Sequence, residues 1–281
     1  MNKIASIYQK TKERLNAFGR PEFEAEARAL LAYVFNCDFS QLLLRFLDEQ
    51  EQPPMLEQLL CKIDENKEVP LAYVIHQKYF YGRSFYVDER VLIPRYDTET
   101  VVQAAVELAK QKHYQTALDL CCGSGCMGIT LFLESEIEKL CLADVSGEAL
   151  EVAQKNAQAY IKNVELIQTD LFESIHEKVD IIVTNPPYIS ALEYAQLDIQ
   201  VRAFEPQNAL LAQCEGYEFY EKIIAQAMDY LNDGGAIVLE IGNTQQNRVF
   251  DLLKSAGFDK IRSGFDMANR PRFLTGEKYV R

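Results

Sequence analysis

From about residue 97 onward, short apolar runs alternate with amphipathic stretches of about 10–15 residues. Few folds tolerate that rhythm. A strand followed by a helix and another strand closes as a right-handed βαβ unit, so repetition builds a parallel sheet covered by helices. The expected strands are Ala117–Leu120, Leu140–Val145, Val164–Gln168, Val179–Thr184 and Ala236–Ile241. The helices expected between and around them are Thr98–Gln111, Met127–Leu133, Glu148–Tyr160, Tyr217–Leu231 and Gln245–Ala256. Two last strands, Lys260–Phe265 and Arg272–Val280, have no helix between them. One of them is therefore expected to enter the sheet antiparallel.

The upstream third reads differently. Residues 1–75 carry apolar positions at helical spacing, with Pro21 and Pro53-Pro54 as helix starts. A small helical bundle is expected there, over 1–76. Aromatic and β-branched residues then alternate around Gly82, which reads as a β-hairpin linker over 77–95. Lys78, Arg83, Arg90 and Arg95 outnumber Asp88 and Glu89 in this strip, so it is expected to be a positive, aromatic surface. The third segment is 96–281.

Charge narrows the function. The 29 Lys and Arg face 42 Asp and Glu, a formal net charge of −13. A protein that grips nucleic acid by its phosphates needs clustered cations, so direct nucleic-acid binding is not expected. The N-terminus lacks the long apolar run of a signal peptide, and no run approaches the roughly 20 residues of a membrane span. A cytoplasmic monomer is expected. The seven cysteines form no repeated metal-binding spacing, so no metal is expected and the thiols are read as reduced, buried apolar groups.

The chemistry gathers at strand ends. The first strand runs into Asp119-Leu120-Cys121-Cys122-Gly123-Ser124-Gly125. A Gly-rich turn between a strand and a helix lets a ligand approach the backbone. The spacing Gly123, Gly125, Gly128 also fits a dinucleotide fingerprint, so the turn alone does not choose the cofactor. Asp144 ends the second strand, where a carboxylate can accept from ribose hydroxyls; Ser146 is available as the helix N-cap. Asp170-Leu171 follows the third strand, placed to bond an adenine amino group and pack on its ring.

Asn185-Pro186-Pro187-Tyr188 follows the fourth strand. Two prolines fix the backbone and remove two donors. The Asn185 side-chain oxygen and the Pro186 carbonyl can then accept both hydrogens of a planar NH2 group, with Tyr188 as a flat neighbour. Such acceptors favour charge build-up on a nitrogen that is otherwise a poor nucleophile. No histidine base is required. His76, His113 and His176 lie outside these motifs.

These residues resemble class I S-adenosylmethionine-dependent methyltransferases that act on NH2 groups. More specifically, the chain is similar to the PrmC/HemK family of release factor glutamine methyltransferases. The resemblance rests on Pro70-Leu71-Ala72-Tyr73, Phe80-Tyr81-Gly82, Val91-Leu92-Ile93-Pro94-Arg95, the Gly-rich turn, Asp144-Val145-Ser146, Asn185–Ile189, Glu205-Pro206 and Glu240-Ile241-Gly242. It implies a Rossmann-like α/β fold, with a seven-stranded, mostly parallel sheet, an N-terminal helical substrate-recognition domain and a hairpin linker. It implies S-adenosyl-L-methionine as cofactor, S-adenosyl-L-homocysteine as product, and class 1 peptide chain release factors as protein substrate. The cofactor would be held by Asp119, Cys121, Cys122, Gly123, Ser124, Gly125, Asp144, Asp170, Leu171 and Asn185. The glutamine would meet Asn185, Pro186, Pro187, Tyr188 and Arg95, with Asn185, Pro186 and Tyr188 catalytic. The alternatives are a ribosomal-protein glutamine or an adenine of DNA or RNA. The chain departs from the family where Cys121 replaces a usual glycine and Tyr96-Asp97 a usual Pro-Glu.

Overall fold

The computed structural model describes residues 2–37 and 39–279. Contacts divide them into two units. One runs up to Gln77 and includes Ile199–Phe204; the other comprises Lys78–Asp198 and the chain from Glu205 onward.

The larger unit is built on a seven-stranded sheet. Its strands are β1 (Thr116–Leu120), β2 (Lys139–Asp144), β3 (Glu165–Gln168), β4 (Val179–Thr184), β5 (Leu231–Glu240), β6 (Asp259–Phe265) and β7 (Pro271–Glu277). The order across the sheet is β6-β7-β5-β4-β1-β2-β3. The first five strands pair in parallel, and β7 lies antiparallel between β5 and β6, as the missing helix implied. Strand β7 ends at Glu277, short of the expected reach: Lys278 and Tyr279 are outside any strand, and Val280 lies outside the described residues.

Five helices cover the sheet: α1 (Tyr96–Lys112), α2 (Cys126–Glu134), α3 (Gly147–Tyr160), α4 (Glu218–Tyr230) and α5 (Gln246–Ser255). Side chains of a strand alternate between faces. Ile181 and Val183 of β4 therefore join the core under α1, α2 and α3, while Ile182 joins the core under α4 and α5. Strand β5 divides the same way, with Ala236 and Val238 on one face and Ile237 and Leu239 on the other. Burial on both faces is why these strands read as unbroken apolar runs.

Two boundaries differ from the sequence reading by more than three residues. Strand β5 begins at Leu231 rather than Ala236, because Leu231 already pairs with Val179 and the Asn232–Gly235 segment is an irregularity within the ladder. The hairpin occupies only Lys78–Phe80 and Arg83–Phe85; residues 86–95 are irregular chain. Nor is the strip an open positive surface. Arg83 pairs with Glu134, Arg90 with Asp88 and Glu151 at 2.7 Å each, and Arg95 with Glu205 at 2.5 Å. Apart from Asp88, the carboxylates that neutralise the arginines come from distant parts of the chain.

The helical unit packs Ile4–Ala17, Phe23–Val34 and Pro54–Glu65 around Ile7, Leu15, Leu30, Leu31, Leu60 and Ile63. Pro53 is the N-cap of Pro54–Glu65, whereas Pro21 sits in a turn ahead of Phe23–Val34. The buried Arg20 guanidinium ties the bundle together. It bonds the Glu26 carboxylate and donates to the Lys67 and Val69 carbonyls at 2.6 and 2.8 Å. Burying such a cation requires this full set of acceptors.

Candidate active site

A solvent-open cleft, with about 960 Å³ of space counting the solvent at its mouth, lies at the carboxyl ends of β1, β2, β3 and β4. Open α/β sheets bind ligands at that edge. Its floor is the turn after β1. Cys121, Gly123 and Gly125 all take the left-handed conformation, with φ of 61°, 52° and 76°. Glycine adopts that geometry freely; cysteine does so against its Cβ. Cys121, Cys122, Gly123 and Ser124 line the cleft, and Gly125 caps α2 behind them.

Asp144 is fixed by backbone donors. The Gly123 N–H donates to Oδ2 at 2.8 Å and the Ser146 N–H to Oδ1 at 3.0 Å. Ser146 itself caps α3 by accepting from the Ala149 N–H. Burial pushes the Asp144 carboxyl up, and the N–H groups oppose that shift. Each carboxylate oxygen keeps acceptor capacity toward the cleft. Asp170 and Leu171 line the same wall, Leu171 in a left-handed conformation with φ 51°.

Asp119 has another place. It is buried behind the turn, outside the cleft, and its Oδ2 accepts from the Gly128 N–H at 2.7 Å. Burial pushes its carboxyl up to about 7. Asp119 therefore anchors α2 to β1 rather than facing a ligand. Gly128 belongs to the same contact. A Cβ there would stand 2.7 Å from the Asp119 Cβ, so this glycine serves packing.

Asn185 and Pro187 join the cleft wall, and Pro186 is buried between them. Tyr188 is half-buried, and its phenol donates to Glu240 Oε1 at 3.3 Å. Burial and the Glu240 charge push that phenol up. The Gln245 amide donates to the Tyr188 carbonyl at 3.1 Å, and Ile189 bridges to Leu211. The motif is thus held at its backbone and at its phenol. Arg95 lines the cleft while paired to Glu205, whose other oxygen accepts from the Ile93 N–H at 3.1 Å.

Met127 and Phe219 line the cleft and Gln245 supports it, and none of the three had a sequence signal of its own. Thr98 also lines the cleft and Glu240 supports it; Glu240 stood in the sequence only as part of the Glu240-Ile241-Gly242 resemblance, with no role attached. None of the three histidines lines the cleft. No group of three or more His, Cys, Asp or Glu among the described residues is arranged to hold a metal ion. All seven cysteines are free, but only Cys122 and Cys126 are buried; Cys37, Cys121 and Cys141 are half-buried, and Cys61 and Cys214 are exposed. No helix among the described residues is long and apolar enough to cross a membrane.

Comparison with known proteins agrees with this geometry. Residues 102–214 match the Methyltransferase small domain family. A release factor glutamine methyltransferase of Leptospira interrogans is 35% identical over 280 residues, covering 96% of each chain. One from Clostridium acetobutylicum is 32% identical, covering 96% of this chain and 95% of its own. Among solved structures, a methyltransferase from Pyrococcus furiosus shares the fold, with a TM-score of 0.52 and 19% identity over 72% of this chain and 92% of that one. Near-complete coverage of both sequences at this identity shows that the chain belongs to the PrmC/HemK family of release factor glutamine methyltransferases.

Proposed function

We propose that the protein transfers a methyl group from S-adenosyl-L-methionine to the side-chain amide nitrogen of the glutamine in the GGQ motif of class 1 peptide chain release factors. One observation carries this reading: a backbone-clamped carboxylate, Asp144, and a Pro-fixed amide acceptor, Asn185, line the same cleft. The residues present fit the cofactor. The space above Gly123 would be free even for a Cβ, and Asp144 retains lone pairs for ribose hydroxyls. Leu171 supplies an apolar wall for an adenine ring and Asp170 an acceptor beside it.

When bound, S-adenosyl-L-methionine supplies an electrophilic methyl group on a sulfonium. The chain's own work is orientation. The Asn185 oxygen and the Pro186 carbonyl accept from the amide NH2 of the glutamine, aiming its nitrogen along the line of attack. Fixed acceptors favour the positive charge that grows on that nitrogen, and alignment supplies the rest through proximity; the N–C bond forms as the S–C bond breaks, leaving the neutral thioether, and the surplus amide proton passes from the acceptor contacts to solvent. The Asn185 side chain makes no hydrogen bond to the described residues, so it is free for this role. Asn185→Ala is expected to lower kcat at least a hundredfold while weakening cofactor binding by less than tenfold. Near-wild-type turnover in that variant would show that the acceptor geometry is irrelevant.

The helical unit is assigned to recognition of the protein substrate. Leu44 and Leu47 are 89% and 78% exposed there, and neighbouring apolar side chains in water favour a protein partner. Leu44→Ser should raise KM for intact release factor and leave KM for a short GGQ peptide unchanged; equal shifts would contradict the assignment. Around the cleft, Arg90 and Arg95 are already paired with carboxylates, which disfavours a nucleic-acid backbone as the partner. A substrate that acts on ribosomes places the enzyme in the cytoplasm.

A further inference from the structure

Glu240 ends β5 and is buried at 2% exposure, after an otherwise apolar run. A carboxylate in such a place is costly unless it serves a partner. Its neighbours come from three other elements. Tyr188 donates its phenol to Oε1, while Arg272 from β7, and Thr98 and Asp97 from α1, stand beside it. Arg272 is itself held by Asp97 at 3.0 Å and Asp266 at 3.1 Å. Oε2 of Glu240 makes no hydrogen bond to the described residues. The carboxylate does not take part in pairing β5, whose backbone bonds run to β4 as far as Leu239 and to β7 at Glu240.

Tyr188 has little freedom elsewhere. Its carbonyl accepts from Gln245, and a Cβ on Gly216 would overlap that carbonyl, so the backbone is closely packed there. The phenol is the remaining handle, and Glu240 holds it.

We propose that Glu240 is a positioning residue for methyl transfer: by accepting from the Tyr188 phenol, it fixes the ring and thereby the Asn185-Pro186 acceptor pair just upstream. This rests on the function proposed above. Arg272 supplies the counter-charge that keeps the carboxylate in place, and Thr98 links the cluster to the cleft wall.

The test compares Glu240→Gln, Tyr188→Phe and the double variant in the full chain. Glu240→Gln is expected to lower kcat about tenfold with cofactor affinity unchanged within twofold. Tyr188→Phe should do the same, and the double variant should be no slower than the slower single, because both remove one contact. Wild-type kcat should also fall as pH drops below about 7, the value to which burial pushes the Glu240 carboxyl, and Glu240→Gln should lack that limb. The groups facing Glu240 in that titration are Tyr188, Arg272 and Asp97. Wild-type kcat in Glu240→Gln, or single losses that multiply in the double variant, would overturn the proposal. Hydrogen exchange supplies a readout independent of turnover. Amides of residues 188–192 should exchange faster in both single variants, and unchanged exchange would overturn the proposal even if no methyl acceptor were found. If Glu240→Gln does not fold, Tyr188→Phe decides alone by the same two measurements.

Discussion

Replacing Gly128 by alanine adds a single methyl group where α2 crosses β1. That methyl would lie 2.7 Å from the Asp119 Cβ, 2.8 Å from Leu142 Cδ2 and 2.9 Å from Asp119 Oδ2. Ordinary carbon contacts are about 3.5–4.0 Å, so the overlap is on the order of 1 Å. Leu142 can rotate, but the Asp119 Cβ is bonded to the strand and cannot. The helix must move, which stretches the Gly128 N–H bond to Asp119. Overpacking costs about 1–3 kcal/mol, and weakening a buried hydrogen bond adds about 1–3 kcal/mol. The helical preference of alanine over glycine offsets about 0.5–1 kcal/mol. The balance is a loss of about 1–5 kcal/mol, or a Tm lower by roughly 2–20 °C for a unit of this size. Because α2 follows directly from the Gly123–Gly125 turn, affinity for S-adenosylmethionine should fall by about tenfold. Thermal unfolding and titration calorimetry read both effects. Gly147→Ala is the control, since its added Cβ would meet only the exposed Gln168 side chain, at 3.1 Å. A Gly128→Ala protein with wild-type Tm and cofactor affinity would refute the reasoning.

Two other predictions concern the same turn. Cys121→Gly should be neutral or stabilising by up to about 1 kcal/mol, since cysteine at φ 61° opposes its own Cβ; a loss above about 1 kcal/mol in chemical denaturation would mean that the thiol packs usefully. Asp119→Asn should change how stability depends on pH. The wild-type carboxyl titrates near 7 in the folded state and near its ordinary 3.8 when unfolded. The unfolded chain therefore ionises first, and wild-type stability falls as pH rises from about 4 to about 7. Asparagine can still accept from Gly128 but does not titrate, so its stability relative to wild type should be greater at pH 8 than at pH 4, by on the order of 2–4 kcal/mol. A constant difference across that range would contradict the burial of a titrating Asp119.

The sheet was legible because its chemistry is local. Strand β4 was read to the residue, since an apolar run bounded by turn residues has one natural pairing length. Strand β5 was read short because Asp233-Gly234-Gly235 resembles a turn, and only its neighbour Val179 reveals that pairing continues. The cleft was legible where a residue type has a single use, as with Asn185 between a strand and two prolines. It was not legible where two aspartates each stood near a strand end. Both project from the same face of the sheet, but Asp119 lies one residue inside the end of β1 and is covered by α2, whereas Asp144 is the last residue of β2 and reaches the edge where the cleft opens. The charge of the hairpin strip failed for a related reason. Arg83, Arg90 and Arg95 find Glu134, Glu151 and Glu205 through tertiary structure, across more than 50 residues of chain. The Tyr188–Glu240 contact spans 52 residues and was invisible for the same cause.

The most direct measurement is the mass of a class 1 release factor incubated with the enzyme and S-adenosylmethionine, with the modified residue located by fragmentation. The account predicts one added methyl group on the glutamine of the GGQ motif, and none on DNA or RNA offered in parallel. Methyl label on nucleic acid adenine, with the release factor unmodified, would contradict it.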